Sequence, residues 1–111
     1  MEKPQVLAAL SALAHETRLD LLRLLVEAGP EGLAQGDIAR RLAVSASGLA
    51  FHLGLLVQAG LVCTRRAARH VFYAADTAGI GAVLGYVLRD CCRSHPEISA
   101  CCRHGKGETG G

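Results

Sequence analysis

Apolar side chains recur at helical spacing from residue 4 to about 14, at Val6, Leu7, Leu10 and Leu13, and predict a short first helix after Pro4. A second helix is predicted from about Glu16 to Ala28, closed by Gly29 and Pro30. Its leucines and Val26 run nearly all the way round, so it should be central or shared with a partner chain. Gln35 to Leu42 forms a two-turn helix carrying Ile38, Ala39 and Leu42. After a break at Ala43 and Val44, Ser45 is placed to cap another helix that runs to about Gln58. Two helices joined by so short a turn are the sequence form of a helix-turn-helix.

Beyond Gly60 the period changes. Leu61 to Arg66 and Arg69 to Ala74 are β-type runs that read as a hairpin. The Arg66-Ala67-Ala68-Arg69 tip lacks the Asn-Gly or Gly that a tight two-residue turn prefers, so a longer loop is expected. Asp76 is the expected N-cap of a last helix to about Arg93, with Ile80, Val83, Leu84, Val87, Leu88 and Cys91 on one face. Gly81 and Gly85, four apart on that helix, either weaken it or let a second helix approach closely at a dimer seam. The resulting fold class is mainly α with a small β-hairpin. The organisation is a folded unit over residues 1–94 and a flexible, cysteine-containing tail over 95–111, of which RHGKGETGG is expected to be disordered.

Composition narrows the function. The chain has 111 residues, one small domain, and at 50% hydrophobic and 20% charged it can build a core. Aromatics make up only 4%, which argues against a stacking platform for single strands. Charge is uneven: residues 1–60 carry 5 basic and 6 acidic side chains, residues 61–111 carry 7 and 4, so a polyanion should meet the second half. No charged residue occurs between Leu42 and Thr64, yet the serines, glycines, His52 and Gln58 in that window make a poor lipid-facing helix, and no membrane partner is expected. MEKPQ does not resemble a signal peptide, which points to the cytoplasm. No phosphate loop or Ser/His/Asp grouping suggests an enzyme.

The helix after Ser45 has two contrasting sides. At 100° per residue, Leu49, Leu53, Leu56 and Val57 fall together, and Ser47, Phe51, Gly54 and Gln58 fall opposite, giving a small uncharged outer face suited to a major groove. Ser45 and Ser47 can donate to phosphates near the helix N-terminus, a role compatible with Ser45 as a cap. His52 flanks the apolar stripe and reads either as a packed, hydrogen-bonded histidine or as a DNA contact. Because this helix carries no Lys or Arg, phosphate neutralisation falls to Arg40, Arg41, Arg65, Arg66 and Arg69, with His70 assisting when protonated.

The order helix, helix, helix-turn-helix, hairpin, helix, with LAHETRLDLLRLL at 13–25 and GDIARRLAVSASGLAFHLGLLVQAGLV at 36–62, resembles the ArsR/SmtB family of winged-helix metal-sensing repressors over roughly residues 8–92. The resemblance implies a homodimer that binds operator double-stranded DNA with the second helix of the turn motif and lets go when a metal or metalloid binds. Two of the family's sites are missing here. GDIARRL has no Cys-x-Cys, and no His between residues 71 and 94 joins Asp76 in a zinc-type set on the last helix.

Cys63 stands alone and reads as a small buried hydrophobe. The other four cysteines form CCRSHPEISACC: Cys91, Cys92, Cys101 and Cys102. Adjacent cysteines on an intact helix point about 100° apart and do not readily share one ion, but at a fraying C-terminus they can. Return of Cys101 or Cys102 past Pro96 would complete a three-thiolate site, which suits a soft, thiophilic centre. Trivalent arsenic or antimony takes three sulfurs in a pyramid. The spacing resembles the arsenic-responsive branch whose ligands are an adjacent Cys pair and a third Cys after the last helix, here with the third position doubled. Methylated arsenic, cadmium, lead, mercury, zinc held by all four clustered thiolates or by some of them with His95 or His104, a thiol redox or persulfide switch, and plain structural cysteine are the alternatives. In a different class stands a thiol-rich metalloid carrier that uses its winged helix as an interaction module.

Overall fold

The computed structural model of the protein describes residues 1–101. Helix α1 (Lys3–Leu13) begins at Glu2, whose N–H donates to Gln5 Oε1 at 2.8 Å, with Pro4 in the first turn where its missing N–H costs nothing. Helix α2 (Glu16–Ala28) starts at His15, whose Nδ1 accepts from the Thr17 N–H at 3.1 Å, and ends at Gly29 with φ of 83°. Its leucine-rich surface divides. Leu21, Leu22 and Leu25 are buried, while Leu19 and Val26 face outward, so α2 is central on one side only of the protomer.

Strand β1 (Leu33–Ala34) follows Gly32 and pairs antiparallel with the strand that contains Tyr73. Gly32 is required there: φ is +77°, and a β-carbon would strike the Tyr73 carbonyl oxygen. Helices α3 (Gln35–Leu42) and α4 (Ala46–Gln58) enclose a bend of 109°, within the range of a helix-turn-helix. The bend is made by Ala43 in the left-handed region, φ 54°, and by Ser45, whose Oγ accepts from the Gly48 N–H at 3.1 Å. Leu49, Leu53 and Leu56 are completely or almost completely buried and seat α4 on the core, each contributing roughly 1.5–3 kcal/mol.

Strands β2 (Val62–Ala67) and β3 (His70–Ala75) form the hairpin, and the sheet order is β1-β3-β2. Ala67 pairs with His70, so the connection is the two-residue turn Ala68-Arg69 rather than the longer loop expected. Ala68 takes the left-handed conformation (φ 58°) that glycine normally supplies, and the cross-strand register holds it there. Helix α5 (Thr77–Gly85) is capped by Asp76 as expected and continues as a π-helical turn, Tyr86–Cys91. The helix therefore stops two residues before the expected Arg93. Arg93 and Ser94, both with positive φ, reverse the chain.

A short helix then occupies residues 96–101, where a flexible tail was expected. Its start repeats the device of α2: His95 Nδ1 accepts from the Glu97 N–H at 3.1 Å, and Pro96 follows. Cys102 and the RHGKGETGG segment lie outside the described residues. Among the described residues no single helix is long and apolar enough to cross a membrane.

Candidate nucleic-acid interface

The outer face of α4 matches the sequence reading closely. Ala46, Ser47, Ala50, Phe51, Gly54 and Gln58 are exposed, and no charge interrupts them. Val57, expected inside, is exposed at the edge of the stripe, because Leu53 and Leu56 already fill the core on that side. Ser45 is engaged as the N-cap, and Ser47 is free on the first turn. Gln35 Nε2 donates to the Ala46 carbonyl at 3.4 Å and ties the start of α3 to the start of α4.

His52 is a bracing residue. Its Nδ1 lies 3.1 Å from Arg18 Nη1, its ring stands 4.7 Å from that of His15, and Arg18 also donates through Nε to the Ala12 carbonyl. Partial burial, reinforced by the charges of His15 and Arg18, holds the His52 imidazole below the ordinary histidine pKa. It is thus kept neutral, with Nδ1 accepting from the guanidinium. The cluster links the C-terminal end of α1, the start of α2 and the middle of α4. His15 and Arg18 were not singled out in the sequence, since a contact across 34 residues leaves no local pattern.

The arginines separate into two groups. Arg65, expected at the hairpin tip, is folded back instead. Its Nη2 and Nε donate to the Glu31 carbonyl at 2.8 and 3.2 Å, and its guanidinium lies 4.8 Å from the Phe72 ring centroid. The register puts Arg65 opposite Phe72, two pairs below the turn, within reach of the α2–β1 loop. Arg40 is hydrogen-bonded to Asp37 one turn back. Arg41, Arg66 and Arg69 are exposed and form no ion pair among the described residues. Arg41 stands at the end of α3, the helix that leads into α4, and Arg66 and Arg69 stand at the wing tip with exposed His70 beside them. A neutral reading surface bordered by cations suits a duplex, whose base edges are neutral and whose rims are phosphate.

The described cysteines fall in two places, one on the wing and three at or beyond the π-helical turn. Cys63 is exposed, against expectation: on edge strand β2, Val62 takes the buried face and Cys63 the opposite one, with its Sγ 3.6 Å from the Ala74 carbonyl oxygen. Cys91 ends the π-helical turn and Cys92 follows it in a non-helical conformation, φ −99° and ψ 3°. The adjacent pair therefore straddles the end of the helix. Burial raises the Cys92 pKa, and a hydrogen bond and charge interaction with Cys91 raise it further. Cys101 is exposed on the 96–101 helix. Among the described residues no three His, Cys, Asp or Glu side chains are grouped closely enough to hold a metal ion. The structure thus places Cys91 and Cys92 side by side at the helix end and does not gather Cys101 with them into a three-ligand group. Cys91 also lines an apolar groove with Leu7, Leu10 and Val87, so Cys91 abuts α1. The two glycines of the suggested seam differ in surroundings. A β-carbon at Gly81 would meet open space, whereas one at Gly85 would meet the Arg89 side chain.

Comparison with known proteins agrees with this geometry. A helix-turn-helix domain family matches residues 13–65. The transcriptional activator HlyU of Vibrio cholerae is 35% identical over 97 residues, covering 86% of this chain and 87% of its own length. Among solved structures, an ArsR-like transcriptional regulator from Rhodococcus superposes with a TM-score of 0.72 at 27% identity, covering 87% of this chain and 89% of that one. The homodimeric winged helix-turn-helix DNA-binding domain of a possible ArsR-family regulator from Mycobacterium bovis gives 0.62 at 28% identity, covering 83% and 85%. With the bend between α3 and α4, the β2–β3 wing and this similarity along most of its length, the chain belongs to the ArsR family of winged helix-turn-helix transcription regulators.

Proposed function

We propose that this regulator is a homodimeric repressor that binds operator DNA through α4 and the wing and releases it when trivalent arsenic or antimony binds Cys91, Cys92 and a third thiol from Cys101 or Cys102. The observation that carries the reading is the end of the π-helical turn at Cys91, with Cys92 next in a non-helical conformation, so that this adjacent cysteine pair sits where the helix stops. Two neighbouring cysteines at a helix end, the second free of helical geometry, can turn their sulfurs toward one centre and supply two corners of a pyramidal three-sulfur site. The third donor must come from the segment after Ser94, which carries both remaining cysteines. Each bond replaces one hydroxide of arsenous acid with a thiolate and releases one water, so three thiols consume the three hydroxides without an oxidant.

Dimerisation is supported by the exposed apolar side chains Leu7 and Leu10 on α1 and Leu84 on α5 and by the homodimeric relative from Mycobacterium bovis. Because Cys91 lines the groove against α1, a ligand on the pair acts directly on this surface. A change there alters the separation of two α4 helices that must meet half-sites about 34 Å apart. The same vicinal pair at the helix end also favours a second reading, its oxidation as the releasing event.

The test is fluorescence anisotropy of a labelled duplex from upstream of the protein's own gene, with reduced protein, then with arsenite, and separately with diamide as thiol oxidant. Release by arsenite near one equivalent per site is expected, together with retention of DNA by a Cys91→Ser/Cys92→Ser variant. Full release of that variant by arsenite refutes the thiol assignment. Release by diamide alone moves the function to redox sensing.

A further inference from the structure

Resting on the DNA-binding reading, we infer that Phe51 selects the operator by contact with the 5-methyl group of a thymine in each half-site. Exposed α4 side chains fall into two chemical kinds. Ser47 and Gln58, a full three turns apart, are the only hydrogen-bonding ones, and between them stand Ala50, Phe51, Gly54 and Val57. Arginine or lysine reading of guanine and carboxylate reading of cytosine are excluded on α4, which has no charged residue. Of the groups a major groove displays, only the thymine methyl is apolar. A phenyl ring set against any other base edge desolvates a donor or acceptor and returns no hydrogen bond.

Phe51 is also placed for such a contact. It is 62% exposed, the most exposed large apolar side chain of the chain's described residues, on the second turn of α4, where recognition helices meet base edges. Its ring is braced and not free. The His52 imidazole packs against it edge to face, with centroids 5.6 Å apart, and His52 is held by Arg18. Beside it, Phe51, Val57 and Tyr73 line an open groove of about 540 Å³ between α4 and the sheet, into which a methyl group can descend without meeting charge. Phe51 is thus a specificity residue, and the flanking arginines supply attraction that is blind to sequence.

One buried methyl is worth about a fourfold change in affinity, and two half-sites about fifteenfold together. The experiment selects duplexes from a random-core library on the full-length reduced protein. It then rebuilds the selected duplex with deoxyuridine for thymidine, one symmetric pair of positions at a time. At one pair, wild type is expected to lose about fifteenfold, Phe51→Ala to bind the thymidine and deoxyuridine duplexes equally, and Phe51→Leu to keep a reduced preference. Because the side chain lies outside the core, both variants should show unchanged thermal unfolding. Equal binding of thymidine and deoxyuridine duplexes by wild type at every position overturns the assignment, while sequence enrichment leaves DNA binding standing. Preference retained in full by Phe51→Ala also overturns it. A library from which nothing is enriched, with no salt-dependent binding, removes the DNA-binding reading and this inference together.

Discussion

Alanine at Gly79 should destabilise the protein, and alanine two residues on, at Gly81, should stabilise it. Gly79 lies in the first turn of α5, where its N–H donates to Asp76 Oδ1 at 2.9 Å. A β-carbon there would fall on the Gly60 carbonyl oxygen, with the carbonyl carbon behind it at 3.0 Å. Carbon atoms in contact settle at roughly 3.5–4.0 Å. Gly60 has little room to yield. It sits at φ +80° after α4, and the next residue is tied to the start of α5 by the Asp76 N–H donating to the Leu61 carbonyl at 2.9 Å. α5 must therefore lift from the corner, at a cost of about 3 kcal/mol, the upper part of the overpacking range. The helical preference of alanine over glycine returns about 1 kcal/mol, leaving a net loss of about 2. At Gly81 nothing lies within 4 Å, so only the gain of about 1 kcal/mol remains. Urea unfolding at matched protein concentrations measures both variants, with concentration held fixed because a dimer's stability depends on it. A Gly79→Ala variant as stable as wild type, or a Gly81→Ala variant destabilised at every concentration, refutes this packing account.

Three further outcomes are expected. His52, held below its ordinary pKa in the fold, takes up a proton later than in the unfolded chain, so its contribution to stability is complete above about pH 6.5 and is lost as pH falls through the folded-state pKa. An NMR titration should give a midpoint below that of a free histidine, and His52→Asn should flatten this part of the stability profile. Ala68→Gly should stabilise the wing by about 0.5–1 kcal/mol by removing left-handed strain, as seen in chemical denaturation. In DNA binding, Arg41→Ala, Arg66→Ala and Arg69→Ala should each reduce the slope of log affinity against log salt by about one per protomer. Arg65→Ala, whose guanidinium is committed to Glu31, should leave that slope nearly unchanged.

The elements legible in the sequence were those written in periodic or capping residues. Ser45 and Asp76 mark helix starts that the structure keeps, and the leucine spacing of α4 identifies its inner face apart from Val57. Features set by distant contact were not legible. β1 has two residues, too few to show alternation, and exists because Gly32 lets the chain lie against Tyr73. The tight turn at Ala68 contradicts local preference because the paired strands impose it. His15 and His95 cap helices through ring nitrogens, a use of histidine that the usual cap residues do not suggest. In the candidate site, the neutral α4 face and the Cys91–Cys92 adjacency could be read directly. The withdrawal of Arg65 to Glu31 and the Arg18–His52 brace could not, since each joins residues 34 apart.

The absence of charge on α4 has a consequence for how such a regulator finds its target among a genome's competing sites. Cations that meet phosphates bind all sequences alike, so each one added raises the background as well as the signal. On the proposed DNA-binding reading, attraction would come from Arg41, Arg66 and Arg69, and discrimination would be left to the uncharged α4 surface. Changes in salt concentration would then scale affinity for right and wrong sites by the same factor. The ratio between them, which decides whether a gene is controlled, stays constant.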